Sequence, residues 1–483
     1  MSQGSVIVIG AGLGGLQCAY ILQRNGYDVT VLEQGAQIGG CLQTFRRKGV
    51  EFDTGFHYVG GLGEREVLGW IFRYFDLLDL PWKKLDEDCV DRIIIGKDEF
   101  RLPSGYDNFV DTLSRQFPSQ KKELRRYVDV LKKIGSSLRD DFGTGASIDY
   151  FQQSAYKFLC DTISDPLLRK VVSGASLRLE SNADTLPLYE YAQINNSFIQ
   201  SGWRLKGGGR TLVERLADGL RHMGGKILTG VKITEIVEAG GTAVEAVSDK
   251  GETFSADIFI SDAHPAVTVS MLKNCSSVRS IYKKRINSLK NSNGVFTLNA
   301  RIKEGELPYE NFNTTLHGSD ADVWHSRGKS YMISYGVPES GDSATTIDIL
   351  TKIDWKLVSE WEGTSPMLRG KEYEEIKEMM ARRCIKAASQ VIPSLEKSIE
   401  FYSTSTSLTY QDYTSTPDGS AFGINKDWHS PITTLISPQT PVRNVLMTGQ
   451  SLNLHGILGV SMTSLYTCAE IIGHSKIKKQ FKA

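Results

Sequence analysis

"SVIVIGAGLGGLQCAYILQRNGYDVTVLEQG", residues 5–35, decides the fold. A β-branched run ends at Gly10, and Gly10, Gly12 and Gly15 then fit G-x-G-x-x-G. "LQCAYILQRNG" follows with helical character, and a second apolar strand, "DVTVLE", ends in Glu33. Each part has a physical task in a Rossmann-type nucleotide site. Gly10 allows the tight turn, and Gly12 and Gly14 let backbone approach a diphosphate. Gly15 permits close packing of helix on strand, and the helix N-terminus offers unpaired N–H groups to phosphate oxygens. Glu33, with Gln34 beside it, closes the second strand where a carboxylate can accept hydrogen bonds from ribose hydroxyls. The order strand, glycine turn, helix, strand and acid predicts an α/β protein with a dinucleotide site at its start.

The motif alone does not separate NAD from FAD. "GAQIGGCLQTF" follows Glu33, and its Gly39-Gly40 pair lets a second stretch of backbone lie against a ligand held by the first turn. No second complete G-x-G-x-x-G appears to serve a nicotinamide domain. Both observations favour FAD as the resident cofactor, with NAD(P)H open as an electron donor.

The bulk composition narrows the class. The chain has 483 residues, 40% of them hydrophobic, enough for a large core and more than one domain. Lysine plus arginine equals aspartate plus glutamate at 56 each, so no global field recruits nucleic acid. No stretch reaches the about 18 uninterrupted apolar residues of a membrane span. Seven scattered cysteines without a CxxC pair predict a reduced, cytoplasmic setting with neither disulfide framework nor zinc site.

The run "GGCLQTFRRKGVEFDTGFHYVGG" (39–61), the stretch "YTSTPDGSAFGI" (413–424) and the closing "TGQSLNLHGILG" (448–459) resemble the phytoene desaturase, carotenoid isomerase and retinol saturase flavoproteins. The resemblance is strong at both ends of the chain and extends to the middle only in layout. It implies an FAD enzyme that saturates, desaturates or isomerises C=C bonds of an apolar polyene or isoprenoid lipid, often at a membrane surface. It also implies that Ile233 in "VKITEI" meets the adenine through its backbone. Gly449 and Gln450 would run along the ribityl–phosphate portion, and Gly459 and Val460 would lie near the isoalloxazine. A helix beginning around Gly459 would then aim its positive end at the flavin. Cys41 stands where many of the broader amine-oxidase-like flavoproteins carry arginine, and reads as a small residue beside the cofactor rather than a flavin-linked one.

The family layout makes the FAD-binding domain discontinuous, from residues 1–75, 202–270 and 415–483. Residues 76–201 and 271–414 form a substrate domain of helices on a mixed β-sheet. "FTLNARI", "SYMISYGV" and "TTIDILTKI" alternate as strands of that sheet should. "PSQKKELRRYVDVLKKIGSSLRDDF" is an amphipathic helix with Leu124, Val128, Leu131, Ile134 and Leu138 on one face. Its other flank is basic, so it reads either as a core-packed helix or as a peripheral membrane helix. The lysine-rich "HSKIKKQFKA" raises the same alternatives, with a disordered tail as the plainer one.

Three side chains are candidates for proton transfer: His455, Tyr58 and His57. His455 and His57 read equally as loop-fixing residues, and Tyr58 as a packing residue. Two rival functions remain, an amine or porphyrinogen oxidase on the same scaffold and a flavin-stabilised lipid carrier without turnover.

Overall fold

The computed structural model describes residues 3–141, 148–366 and 368–482. Five parallel strands form the first sheet, in the order Lys226–Thr229, Asp28–Glu33, Ser5–Ile9, Ile258–Ser261 and Val445–Met447. All four junctions are parallel, so both faces must be covered and the strands read as near-continuous apolar runs. Alternation assigns the faces. Val6, Val8, Val29 and Val31 pack with the first helix, Leu13–Arg24. Ile7, Ile9, Leu32 and Phe259 pack on the opposite side with Ile233, Ile236, Met271 and Leu272. A three-stranded antiparallel sheet, Ile233–Ala239, Thr242–Ser248 and Thr253–Ser255, covers that second face.

The other large sheet has seven strands and is mixed, as expected from sequence. Its order is Ile399–Ser405, Gly294–Ile302, Thr346–Ile353, Ser330–Tyr335, Asn313–His317, Asp91–Ile95 and Asp98–Leu102. The junction between Asn313–His317 and Asp91–Ile95 is parallel and the others are antiparallel. The three strands read from alternation all lie here. A small sheet stitches the halves together: Gly202–Leu205 pairs with both Val59–Gly60 and Trp82–Lys84. Beyond residue 270 the chain still packs on the parallel-sheet side, where Cys275 and Val278 join the cluster of Ile233 and Phe259.

Two sequence expectations are resolved by packing. The amphipathic helix spans Lys121–Asp141, and Leu124, Val128, Leu131 and Ile134 are all completely buried. Their cluster includes Leu159, Ile163, Leu168 and Tyr191, so this apolar stripe faces the protein interior and offers nothing to a bilayer. The side chain of Leu138, the fifth member of the stripe, lies outside the described residues. The lysine-rich C-terminal stretch is a helix, His474–Lys482, and not a disordered tail. Ile477 and Phe481 anchor it, and the Phe481 ring stacks on Tyr74 at 4.1 Å with Trp70 and Phe75 at its edges. Among the described residues no helix is long and apolar enough to cross a membrane.

Phe481→Ala removes the central ring of this aromatic cluster and should destabilise the fold by about 3–5 kcal/mol. Equilibrium urea unfolding measures it. An unchanged midpoint would contradict the docking of the last helix.

Candidate functional site

A cavity of about 380 Å³ lies where the two halves meet, and residues from both ends of the chain line it. At its glycine-rich end the walls are Gly10, Gly12, Gly14, Glu33, Gln34, Gly39, Gly40, Ile233, Gly449, Gln450 and Val460. Gly10 has φ +102°, a conformation closed to most side chains, and it turns the first strand into the first helix. Gly15 is not a wall residue. A methyl group there would sit 2.1 Å from the Gly10 carbonyl oxygen, so Gly15 serves the close approach of helix to strand. The second glycine pair is locked to the first turn, because Gly39 N–H donates to the Ala11 carbonyl at 2.8 Å.

Glu33 is buried, and its two oxygens accept from Ala11 N–H at 2.8 Å and Gly35 N–H at 2.7 Å. Burial raises its carboxyl above the ordinary range, and the amides of Gly35, Ala11 and Gln34 pull it back. Each carboxylate oxygen keeps a second lone pair for a hydroxyl donor. Gln34 donates to Ser415 Oγ at 3.1 Å, tying this wall to the C-terminal part of the chain. Asp262, at the end of the Ile258–Ser261 strand, points its carboxylate at the glycine turn, where the amides of Gly12 and Gly15 hold it. The turn therefore already binds anionic oxygens, which is what a diphosphate presents.

The other end of the cavity is apolar. Leu177, Val295, Met332 and Leu350 form one buried cluster with Tyr58 and Ala421 against it, and Phe198 and Phe422 add aromatic wall. Val295, Met332 and Leu350 all come from the seven-stranded sheet, which is the floor. Tyr58 does not offer a free hydroxyl. It donates to Asp91 Oδ1 at 3.0 Å and accepts from Arg178 Nε at 2.7 Å, while Arg178 also pairs with Asp91.

His455 also lines the cavity, but its ring nitrogens are occupied. Nδ1 is 3.1 Å from Glu190 Oε1 and Nε2 is 2.9 Å from the Arg178 carbonyl oxygen. Both partners are acceptors, so the ring ties its loop to two other segments. The closing helix spans Gly456–Ile472, three residues earlier than the expected start at Gly459, with His455 as its N-cap. Gly459 is within its first turn and off the cavity wall; a methyl group there would lie 2.2 Å from the Leu454 carbonyl oxygen. His57 lines the cavity with its Nδ1 3.2 Å from Asp348.

The flavin-containing amine oxidoreductase family model matches residues 13–271, more than half of the chain. The chain belongs to this family. It is 25% identical to the all-trans-retinol 13,14-reductase of Danio rerio, over 96% of this chain and 85% of that protein. It is 24% identical to the chloroplastic prolycopene isomerase 2 of an Oncidium hybrid cultivar, over 86% of this chain and 74% of that protein. The structure of cyclohexylamine oxidase from Brevibacterium oxydans superposes with a TM-score of 0.63, at 14% identity, over 99% of this chain and all of that one. At that identity the likeness establishes the shared fold.

As a flavin-containing oxidoreductase the protein takes FAD, and the residues present fit it. The glycine turn offers amides to a diphosphate, Glu33 offers acceptors to a ribose, and Gly449 and Gln450 close the cavity from the far end of the chain. Cys41 lines the same wall; burial and the nearby Asp262 push its thiol up to about 11, so it stays a neutral, small neighbour. Sequence reasoning missed Asp262, Arg178, Phe198, Phe422 and the three sheet residues. Asp262 had a signal, since a carboxylate that ends a strand of an open parallel sheet sits where such sheets bind ligands. Arg178 and the apolar floor had none, because distant segments assemble them.

Burial pushes the Asp262 carboxyl up to about 7, with Glu33 adding repulsion and the Gly15 and Gly12 amides pulling it back. Below that pH it is neutral and yields its place to a diphosphate; above it, the carboxylate competes for the same amides. FAD affinity of the apoprotein should therefore weaken as pH rises through 7, by at most about tenfold per unit for one proton. Asp262→Asn should bind FAD tightly with a flat profile. Fluorescence titration measures both, and a flat wild-type profile would contradict this role.

Proposed function

We propose that this protein is an FAD-dependent oxidoreductase acting on C=C bonds of an apolar polyene or isoprenoid lipid, such as a retinoid or carotenoid. The observation that carries the reading is the apolar end of the cavity, joined without a break to the glycine cradle. A polyene has little charge to grip, so apolar walls with few polar groups are what hold it. The relatives named for retinol reduction and prolycopene isomerisation match over most of this chain's length, which supports the same substrate class.

FAD, when bound, supplies the hydride chemistry. Gly10, Gly12, Gly14, Glu33, Gln34, Gly39, Gly40, Ile233, Gly449, Gln450 and Val460 line the cavity and would hold it there, and Gly15 and Gly459 shape the turns behind them. The first turn of the Gly456–Ile472 helix would offer its positive end to the bound cofactor. Leu177, Val295, Met332, Leu350, Phe198 and Phe422 exclude water and align the substrate. Tyr58 is held rigidly by Arg178 and Asp91 and borders the substrate; His455 fixes the loop between Glu190 and Arg178. Residues 1–75, 202–270 and 415–483 carry the nucleotide, with the 271–287 stretch packed beside them, and the remainder carries the substrate. NADH or NADPH is the proposed electron donor, and contact with a lipid surface runs through the exposed basic flank of the Lys121–Asp141 helix.

The protein should purify yellow with bound FAD. After anaerobic reduction, all-trans-retinol should reoxidise the flavin, or prolycopene should be isomerised with no net flavin oxidation, and NADH and NADPH are tested separately for bleaching. Leu350→Asp should retain FAD and weaken polyene binding by about tenfold or more, since it places a carboxylate in an apolar wall. Hydrogen peroxide production with putrescine or a porphyrinogen, and none of these polyene effects, would favour an oxidase. Polyene binding with no change of flavin or lipid would favour a carrier.

A further inference from the structure

Arg178 places a cation at the apolar end of the cavity. Its side chain is 6% exposed, and it lines the wall beside Leu177. One edge of the guanidinium is occupied within the protein: Nε donates to the Tyr58 hydroxyl at 2.7 Å, and Nη2 pairs with Asp91 Oδ2. Asp91 belongs to the strand Asp91–Ile95 of the seven-stranded sheet, and its Oδ1 accepts from the Tyr58 hydroxyl at 3.0 Å. The three side chains therefore hold one another in a closed ring of contacts. The Arg178 backbone is fixed as well, because its carbonyl oxygen lies 2.9 Å from His455 Nε2. The guanidinium carbon stands 4.0 Å from the centre of the Phe198 ring and 5.4 Å from that of Tyr58, and both rings line the cavity.

Nη1 is different. It makes no hydrogen bond to the described residues, yet it is not one of the fully enclosed polar atoms. With the side chain so deeply buried, the surface that Nη1 keeps opens among those wall rings, on the cavity. Neighbouring polar groups of the wall are already paired: Tyr58 with Asp91, Ser197 Oγ with the Ile194 carbonyl, and His455 with Glu190 and the Arg178 carbonyl. Arginine keeps its charge at every working pH, and its planar fork fixes the direction of the two Nη1 N–H groups once the other edge is held. A hydrocarbon seated against Nη1 would strip it of water and return no acceptor, which is costly for a charged donor. A ligand oxygen at that point removes the cost.

We propose that Arg178 Nη1 holds an oxygen atom of the substrate, so that the site takes an oxygen-bearing polyene in preference to a hydrocarbon one. The proposal rests on the polyene reading above and narrows it. Asp91 already balances the charge of Arg178, so the oxygen is a neutral one, a hydroxyl or a carbonyl. A carboxylate would bring a second negative charge into the enclosure, and the described wall has no second arginine or lysine to meet it.

The test measures binding to protein loaded with oxidised FAD, under anaerobic conditions. Retinoid fluorescence gives dissociation constants for all-trans-retinol and for its hydrocarbon counterpart, which has hydrogen in place of the hydroxyl. Arg178→Met combined with Asp91→Asn removes the donor and leaves no buried charge unpaired. Detergent partitioning of the two ligands is common to both proteins, so the ratio of constants in this variant is the baseline. The wild type should favour retinol by about tenfold or more beyond that baseline, as a hydrogen bond to a charged group implies. It should also bind ionised retinoic acid more weakly than retinol.

Equal ratios in wild type and variant, or tighter binding of retinoic acid than of retinol, would overturn the assignment and leave the polyene reading standing. Binding of neither retinol nor its hydrocarbon counterpart by the wild type would remove the polyene reading, and the assignment with it. If the double variant does not fold, a crystal structure of the wild type with all-trans-retinol decides. A hydroxyl within hydrogen-bonding reach of Nη1 upholds the assignment, and a hydroxyl placed elsewhere overturns it.

Discussion

The crossing of the first helix over the first strand, with Gly15 against the Gly10 carbonyl, sets the rest of the site. A single methyl group there has no room, since it would meet backbone at 2.1 Å. That contact brings the helix N-terminus close enough to the strand end for its amides to face the cavity rather than solvent. The closing helix then packs on the first one through small residues. Gln17 Nε2 donates to Ser461 Oγ at 2.9 Å, and Ser464 Oγ reaches the Gly14 carbonyl at 3.3 Å. Burying hydroxyls in this seam is tolerable because each has an acceptor within its own helix: Thr463 on Gly459, Ser464 on Val460 and Thr467 on Thr463. The residues nearest the chain's end thereby become a wall of the site that its beginning opens.

The polarity of the cavity follows from the same arrangement. Loops and helix ends of the parallel sheet line one part, and they present backbone amides, Glu33 and Asp262. The middle of a mixed sheet lines the other, and sheet centres are built from apolar side chains. A ligand with a charged half and a greasy neighbour is what such a surface accepts. Polar side chains that enter the apolar part are held in pairs: Arg178 with Asp91 and Tyr58, His455 with Glu190, His57 with Asp348. Pairing is what makes their burial tolerable. It also leaves few atoms free to do chemistry.

The parts of this legible in the sequence were those with a local signature. The glycine turn, the acid ending the second strand and the alternating strands each depend on residues close along the chain. The amphipathic helix was equally clear, but periodicity could not say whether protein or lipid covers its apolar stripe, and Tyr191 and Leu168 supply the answer. Phe481 was hidden among lysines, and only its aromatic neighbours, some 400 positions earlier, turn that stretch into a docked helix. The start of the closing helix was misjudged because Gly456 and Gly459 look alike in sequence. One begins the helix and the other packs against Leu454. His455 drew notice for standing beside glycines, whereas the partners that occupy its ring, Glu190 and Arg178, come from more than 260 residues away.

The central claim is that one cofactor is gripped at once by the turn that opens the chain and the turn that nearly closes it. Amide hydrogen exchange of the apoprotein, with and without saturating FAD, tests this most directly. The account predicts that peptides covering residues 10–16 and 448–460 gain protection together, at the same FAD concentration. Protection confined to the first turn, with the 448–460 stretch exchanging as in the apoprotein, would contradict it.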